Sequence, residues 1–133
     1  MKKIILVLLG IMLLSCDTNI QEAALIVHNN TSDPIRSVIL NRESLTYGPY
    51  DYEFNEIIAP NQYTIFYIDI KNNADNYHGL IYIKSQDHLE NVFDRLTAAN
   101  ISIQRGKTTT AYLVVNSYVN NNQILGISVQ GPQ

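Results

Sequence analysis

The chain cannot crosslink itself through disulfides, because its 133 residues include one cysteine, Cys16. A thiolate zinc cluster is excluded on the same count. Tryptophan is absent, and glycine (six) and proline (four) are scarce. That leaves no collagen-like repeat and no glycine-rich loop to cradle a phosphate. Charge is also sparse, at 16% of residues, with 12 acids against 9 bases. A net charge of −3, without clustered Lys or Arg, argues against a nucleic-acid partner. Long hydrophobic runs are missing too. The longest, 4–14, has eleven residues. At about 1.5 Å per helical residue it falls far short of a roughly 30 Å bilayer core.

What remains is a globular balance. Apolar residues make up 46% of the chain and nine residues are tyrosine, in a length that suits one domain. Lys2 and Lys3 precede the apolar run, and "LLSC" at 13–16 follows it. A positive start followed by a short apolar region has the layout of a signal peptide. The "LLSC" stretch resembles the lipobox of bacterial lipoproteins, with an aliphatic residue at −3, a small residue at −1 and cysteine at +1. The resemblance implies that Cys16 carries a diacylglyceryl group, that cleavage occurs before it, and that its new amino group is acylated, for example with palmitate. Residues 1–15 are then the signal peptide, 16–22 a lipidated tether, and 23–133 the folded domain. Loss of Lys2 and Lys3 takes the net charge from −3 to −5. An acidic surface is not drawn to anionic lipid, so the acyl chains must do the anchoring. The expected location is the cell membrane or outer membrane, with the domain exported; Asp17 leaves the leaflet open.

Beyond Ala23 the pattern is short β segments between turn residues. Strands are expected at 23–30, 35–41, 55–62, 62–71, 79–85, 108–116 and 124–130. The 62–71 segment alternates best, with Thr64, Phe66, Ile68 and Ile70 on one face. Leu125, Ile127 and Val129 share a face of the last. One stretch reads differently. Leu89, Val92, Phe93 and Leu96 are spaced as a helical stripe, and Asp87 with Glu90 forms a capping box. A helix is therefore expected over 88–99. Seven to eight strands with regular turns predict a mainly β fold, a single antiparallel β-sandwich, with a small barrel as the alternative. The runs "IVHNNTSDPIRSVIL", "IIAPNQ" and "GLIYIKS" resemble small bacterial lipoproteins with an immunoglobulin- or transthyretin-like sandwich. That resemblance implies a fold, with a first strand leading into a hairpin, and brings no catalytic residue.

The residues that could carry chemistry are few. His28, His78 and His88 form no metal-binding spacing, and solvated loop histidines are the favoured reading over a surface site with Asp75 and Asp87. Asp69, Asn73 and Asp75 lack the spacing of a calcium loop and fit an Asn/Asp-rich turn. Asp51 and Glu53 would share a face of an extended segment, without a pocket to tune them. No nucleophile motif is present, so no cofactor, no metal and no enzymatic activity are expected. The sequons at Asn30 and Asn100 are chance matches in such a protein. The candidate binding loop is "TYGPYDYEF" (46–54), where Tyr47, Tyr50, Tyr52 and Phe54 cluster; Tyr77 and Tyr118 are possible additions. Tyrosine suits a contact surface because it offers large area, a polar tip and few rotors. The same alternation equally fits the inward face of an edge strand. The sequence thus predicts a membrane-anchored display module that contacts a protein or glycan. The alternative is an accessory subunit of an envelope complex that offers a strand edge such as 124–130.

Overall fold

A computed structural model describes residues 22–43, 49–86 and 95–133. Cys16, the expected leader, Tyr47 and the first part of the expected helix lie outside these residues. Eight strands form: β1 (Ala23–Asn30), β2 (Ile35–Asn41), β3 (Tyr52–Phe54), β4 (Tyr63–Ile68), β5 (Asn76–Ser85), β6 (Arg95–Gln104), β7 (Thr108–Val119) and β8 (Asn122–Gln130). They build two four-stranded sheets, β4-β1-β7-β8 and β3-β2-β5-β6. Every pairing is antiparallel except β1 with β7. The predicted β-sandwich is the fold observed.

Period-two patterning explains the layering. Ala23, Leu25 and Val27 of β1, Ala111 and Leu113 of β7, and Phe66 and Ile68 of β4 point inward from one sheet. Val38 and Leu40 of β2, Ile81 and Ile83 of β5, and Ile101 and Ile103 of β6 meet them from the other. Phe54 stacks on Phe66 at 4.5 Å, closing one side. On the opposite side Arg95 Nη1 donates to Gln123 O at 2.8 Å.

Turn chemistry follows the same logic. β7 and β8 join through Asn120-Asn121, both with positive φ (50° and 65°). Two such residues make the type I′ turn that matches strand twist, and asparagine tolerates it better than most residues. In β5, Gly79 lies under the Tyr77 ring; a Cβ there would fall 2.8 Å from Tyr77 Oη and from Asn41 O.

Four expectations are corrected. The helix over 88–99 is not formed at its second half, because 95–99 belong to β6. Ten consecutive residues of β6 pair with β5, and that ladder overrides the local helical spacing. The strand at 55–62 is reduced to one bridge between Ile58 and Ile35, since the chain turns at once through Pro60 and Asn61 (φ 60°). Strand structure appears instead at Tyr52–Phe54, inside the expected loop. β1 and β2 form no hairpin: they lie in different sheets.

Leu113→Ala should lower unfolding free energy by about 2–5 kcal/mol, because Leu113 is fully buried. Leu96 would face the core as part of the predicted helix, yet it is 51% exposed on β6. Leu96→Ala should therefore stay within about 0.5 kcal/mol of the parent. Urea unfolding of both variants checks the pair.

Candidate functional site

The outer face of the first sheet follows from its inner one. With Ala23, Leu25, Val27 and Asn29 buried, Ala24, Ile26, His28 and Asn30 must face outward. Register then sets their neighbours. Antiparallel pairing puts Tyr63 beside His28, Ile65 beside Ile26 and Tyr67 beside Ala24. Parallel pairing puts Tyr112 on the other side of His28, Thr110 beside Ile26 and Thr108 beside Ala24. Beyond β7 follow Ser128 and Gln130.

The His28 ring is therefore held between two tyrosines. It lies 5.1 Å from Tyr63, tilted by 32°, and 4.7 Å from Tyr112, nearly parallel at 18°. His28 and Tyr112 are stacked, while Tyr63 packs on His28 at a tilt. The far face of Tyr63 opens at the sheet edge, and Tyr112 borders the small Ser128. Tyr63, Ile65 and Tyr67 are 58%, 41% and 65% exposed.

Charge distinguishes this sheet from its partner. The strands β4, β1, β7 and β8 contain no Asp, Glu, Lys or Arg. The strands of the other sheet carry Arg36, Glu53, Lys84 and Arg95. The face thus combines rings, aliphatic side chains, hydroxyls and amides without a fixed charge.

The residues expected to form a binding loop are engaged elsewhere. The Tyr52 hydroxyl donates to Asp69 O at 3.0 Å and accepts from the Lys71 amide at 2.9 Å. Phe54 is stacked on Phe66, and Tyr50 is half-buried. Tyr77 is fully buried, edge-on to Tyr52 at 5.6 Å. Tyr118 is exposed far along the β7–β8 hairpin. Packing between the sheets gathers Tyr52, Phe54 and Tyr77; no exposed aromatic loop forms among the described residues. Asp51 and Glu53 do not act as a carboxylate pair: Asp51 accepts from the Tyr77 hydroxyl at 3.0 Å and from the Arg42 amide at 3.0 Å, while Glu53 is exposed.

No protein-family model, curated protein or solved structure matches the chain.

A second feature is an open groove of about 630 Å³ where the other sheet meets the end of β8, lined by Arg42, His78, Leu80, Asn100, Ser102 and Val129 among others. There His78 Nδ1 lies 2.7 Å from Ser102 Oγ. A serine beside a histidine evokes nucleophilic catalysis, but that chemistry needs a third group to orient the base and donors for an oxyanion. The two residues are direct cross-strand partners in the β5–β6 ladder, and an exposed polar pair is ordinary there. Among the described residues no three His, Cys, Asp or Glu side chains gather as a metal site. Asp75 instead lies 3.9 Å from Arg105.

The outer face escaped the motif-based reading because its residues come from four strands. Its signal in the sequence is the charge-free tail: residues 108–133 contain no Asp, Glu, Lys or Arg.

Burial and the adjacent Asp51 carboxylate push the Tyr77 phenol well above the usual tyrosine value of 10.0. The folded protein keeps a proton that the unfolded chain releases above pH 10, so this group's contribution to stability is lost as pH rises past 10. Tyr77→Phe should cost about 1–3 kcal/mol at neutral pH and flatten the alkaline fall in stability. Urea unfolding at pH 7 and above pH 10 measures both effects; an unchanged alkaline slope would refute the assignment.

Proposed function

We propose that this protein is a lipid-anchored, non-enzymatic binding module of a bacterial envelope, and that its contact surface is the outer face of the β4-β1-β7-β8 sheet, directed at an uncharged glycan. The lipobox-like "LLSC" at 13–16 supports the anchor through Cys16. The observation that carries the binding reading is the charge-free, ring-bearing sheet.

A neutral glycan presents apolar C–H faces and a fringe of hydroxyls. Aromatic side chains suit the first, and Tyr63, Tyr67, Tyr112, Thr108, Thr110, Ser128 and Gln130 offer donors and acceptors for the second. No ionised group has to lose water when such a ligand lands, which removes the largest desolvation penalty. A rigid sheet also positions these groups before binding, so little order has to be created on contact. The anchor would hold this surface at the membrane, exported from the cytoplasm, through acyl chains rather than a spanning segment.

Two measurements test the reading. Cys16→Ala should move the protein out of the membrane fraction; continued partition with membranes would remove the anchor. Affinity electrophoresis through gels containing neutral polysaccharides should retard the parent, and His28→Ala or Tyr112→Ala should weaken retardation about tenfold, matching the loss of one stacking contact. Equal retardation by anionic polysaccharides, or none by the neutral panel, would overturn the glycan assignment. Capture of a protein partner through the same variants would redirect it.

A further inference from the structure

We propose that the open edge of β4 pairs with β4 of a second copy of this chain, joining two sandwiches through one continuous sheet. This does not rest on the glycan reading, because edge pairing uses backbone groups and leaves the outer face free.

The backbone pattern identifies the unpaired groups. Asn29 donates its amide to Gln62 O, and Ala24 donates its amide to Lys107 O beside β7. Odd residues of β1 therefore bond towards β4, and even residues towards β7. On β4 the same alternation turns Thr64, Phe66 and Ile68 towards β1. The amides and carbonyls of Tyr63, Ile65 and Tyr67 point to the open side, where β4 has no partner strand among the described residues.

Natural sheets blunt such edges with charge, proline, bulges or short length. Three of the four edge strands here follow that rule. β3 has three residues and includes Glu53. β6 begins with Arg95. β8 pairs across a bulge between Val115 and Ser117, and Arg95 caps its Gln123 carbonyl. β4 has none of these devices. It runs for six residues as "YTIFYI", with no charge or proline and an unbroken register against β1.

The occupant is indicated by the symmetry of the strand. The outward residues read Tyr63, Ile65, Tyr67, which is the same in both directions about Ile65. An antiparallel two-fold pairing centred on Ile65 sets Ile65 against Ile65 of the partner subunit and Tyr63 against Tyr67 of the partner subunit. Ile65 presents its amide and carbonyl to the edge, so the axis falls on a hydrogen-bonded pair. No like charges oppose one another, the usual penalty for such self-pairing. A two-fold interface of this kind is isologous and closes at two copies.

The test uses the full-length chain carrying Cys16→Ala, in detergent micelles. Cα atoms of a hydrogen-bonded antiparallel pair are about 5.5 Å apart, within disulfide reach. Ile65→Cys should therefore crosslink into a covalent dimer under mild oxidation, about tenfold faster than Ser128→Cys on β8, given the proximity requirement. Sedimentation in density-matched detergent should give a dimer for the Cys16→Ala chain and a monomer for Ile65→Lys, with unchanged circular dichroism. A monomeric Cys16→Ala chain, equal crosslinking at positions 65 and 128, or a persistent dimer with Ile65→Lys would each overturn the proposal. A stoichiometric complex with another protein through β4 would also overturn it.

Discussion

The side chain of Asn29 holds the two sheets in their relation at one end of the sandwich. It is fully buried, and all four of its hydrogen-bonding sites are used. Its Nδ2 donates to Asp33 O at 2.8 Å and to Ile58 O at 3.0 Å. Its Oδ1 accepts from the Thr31 amide at 3.1 Å and the Thr31 hydroxyl at 2.7 Å. Through Asp33 it fixes the step from β1 to β2, where the chain leaves one sheet for the other. Through Ile58 it fixes the return from β3 to β4. Its own amide and carbonyl bond Gln62 and Asn61. A buried amide left unpaired costs about 1–3 kcal/mol per group, so this network specifies one geometry for both crossovers. β4 starts where Asn29 lets it start, and the position of Tyr63 beside His28 follows.

Charge segregation is the second organising feature. The parallel β1–β7 pairing places the apolar N-terminal strand in the middle of the uncharged sheet, with the charge-free β7–β8 hairpin on one side and β4 on the other. The charged strands fall to the opposite sheet. A sandwich needs one buried face per sheet, and that need sets the inner residues. It does not require the outer face of one sheet to lack charge altogether, and interface cores are the surfaces depleted of charge in this way. The aromatic stack stabilises the sheet as well as decorating it, since cross-strand ring pairs contribute about 0.2–1 kcal/mol each.

Much of the fold was legible in the sequence, for local reasons. β4 and β8 alternate, so their faces could be read directly, and β1, β2 and β7 are apolar stretches that end at Asn-bearing turns, so their existence could be read. Asn29-Asn30 and the turn-rich "TSDP" that follows mark the end of the first strand in the sequence, though not that the Asn29 side chain is buried. The 95–99 stretch misled because Leu96 completes a helical stripe begun upstream, while the deciding fact, a ten-residue ladder with β5, is non-local. The 46–54 aromatics left two readings open in the sequence, a binding loop or the inward face of an edge strand, and Tyr52 and Phe54 follow the second. Alternation alone does not choose between them; the choice is made by the opposite sheet, which supplies Phe66, and by the Asp69 carbonyl. The outer face was invisible because His28, Tyr63 and Tyr112 are far apart in sequence and meet only once register is known.

The proposed anchor, an uncharged face and an open edge would reinforce one another physically. Edge pairing over one six-residue strand is a small interface, and such contacts are weak between freely diffusing partners. Tethering to a membrane changes the arithmetic, because confinement raises effective concentration without adding a contact. The two-fold pairing of β4 would then be more populated at a surface than in free solution. It would align two copies of the Tyr63–His28–Tyr112 row in one sheet, doubling the binding groups that an extended neutral chain could meet. It would also satisfy the edge whose exposed backbone is otherwise a template for aggregation. The absence of charge along β4 thereby fits the proposed pair, because the same edge left unpaired would be a liability.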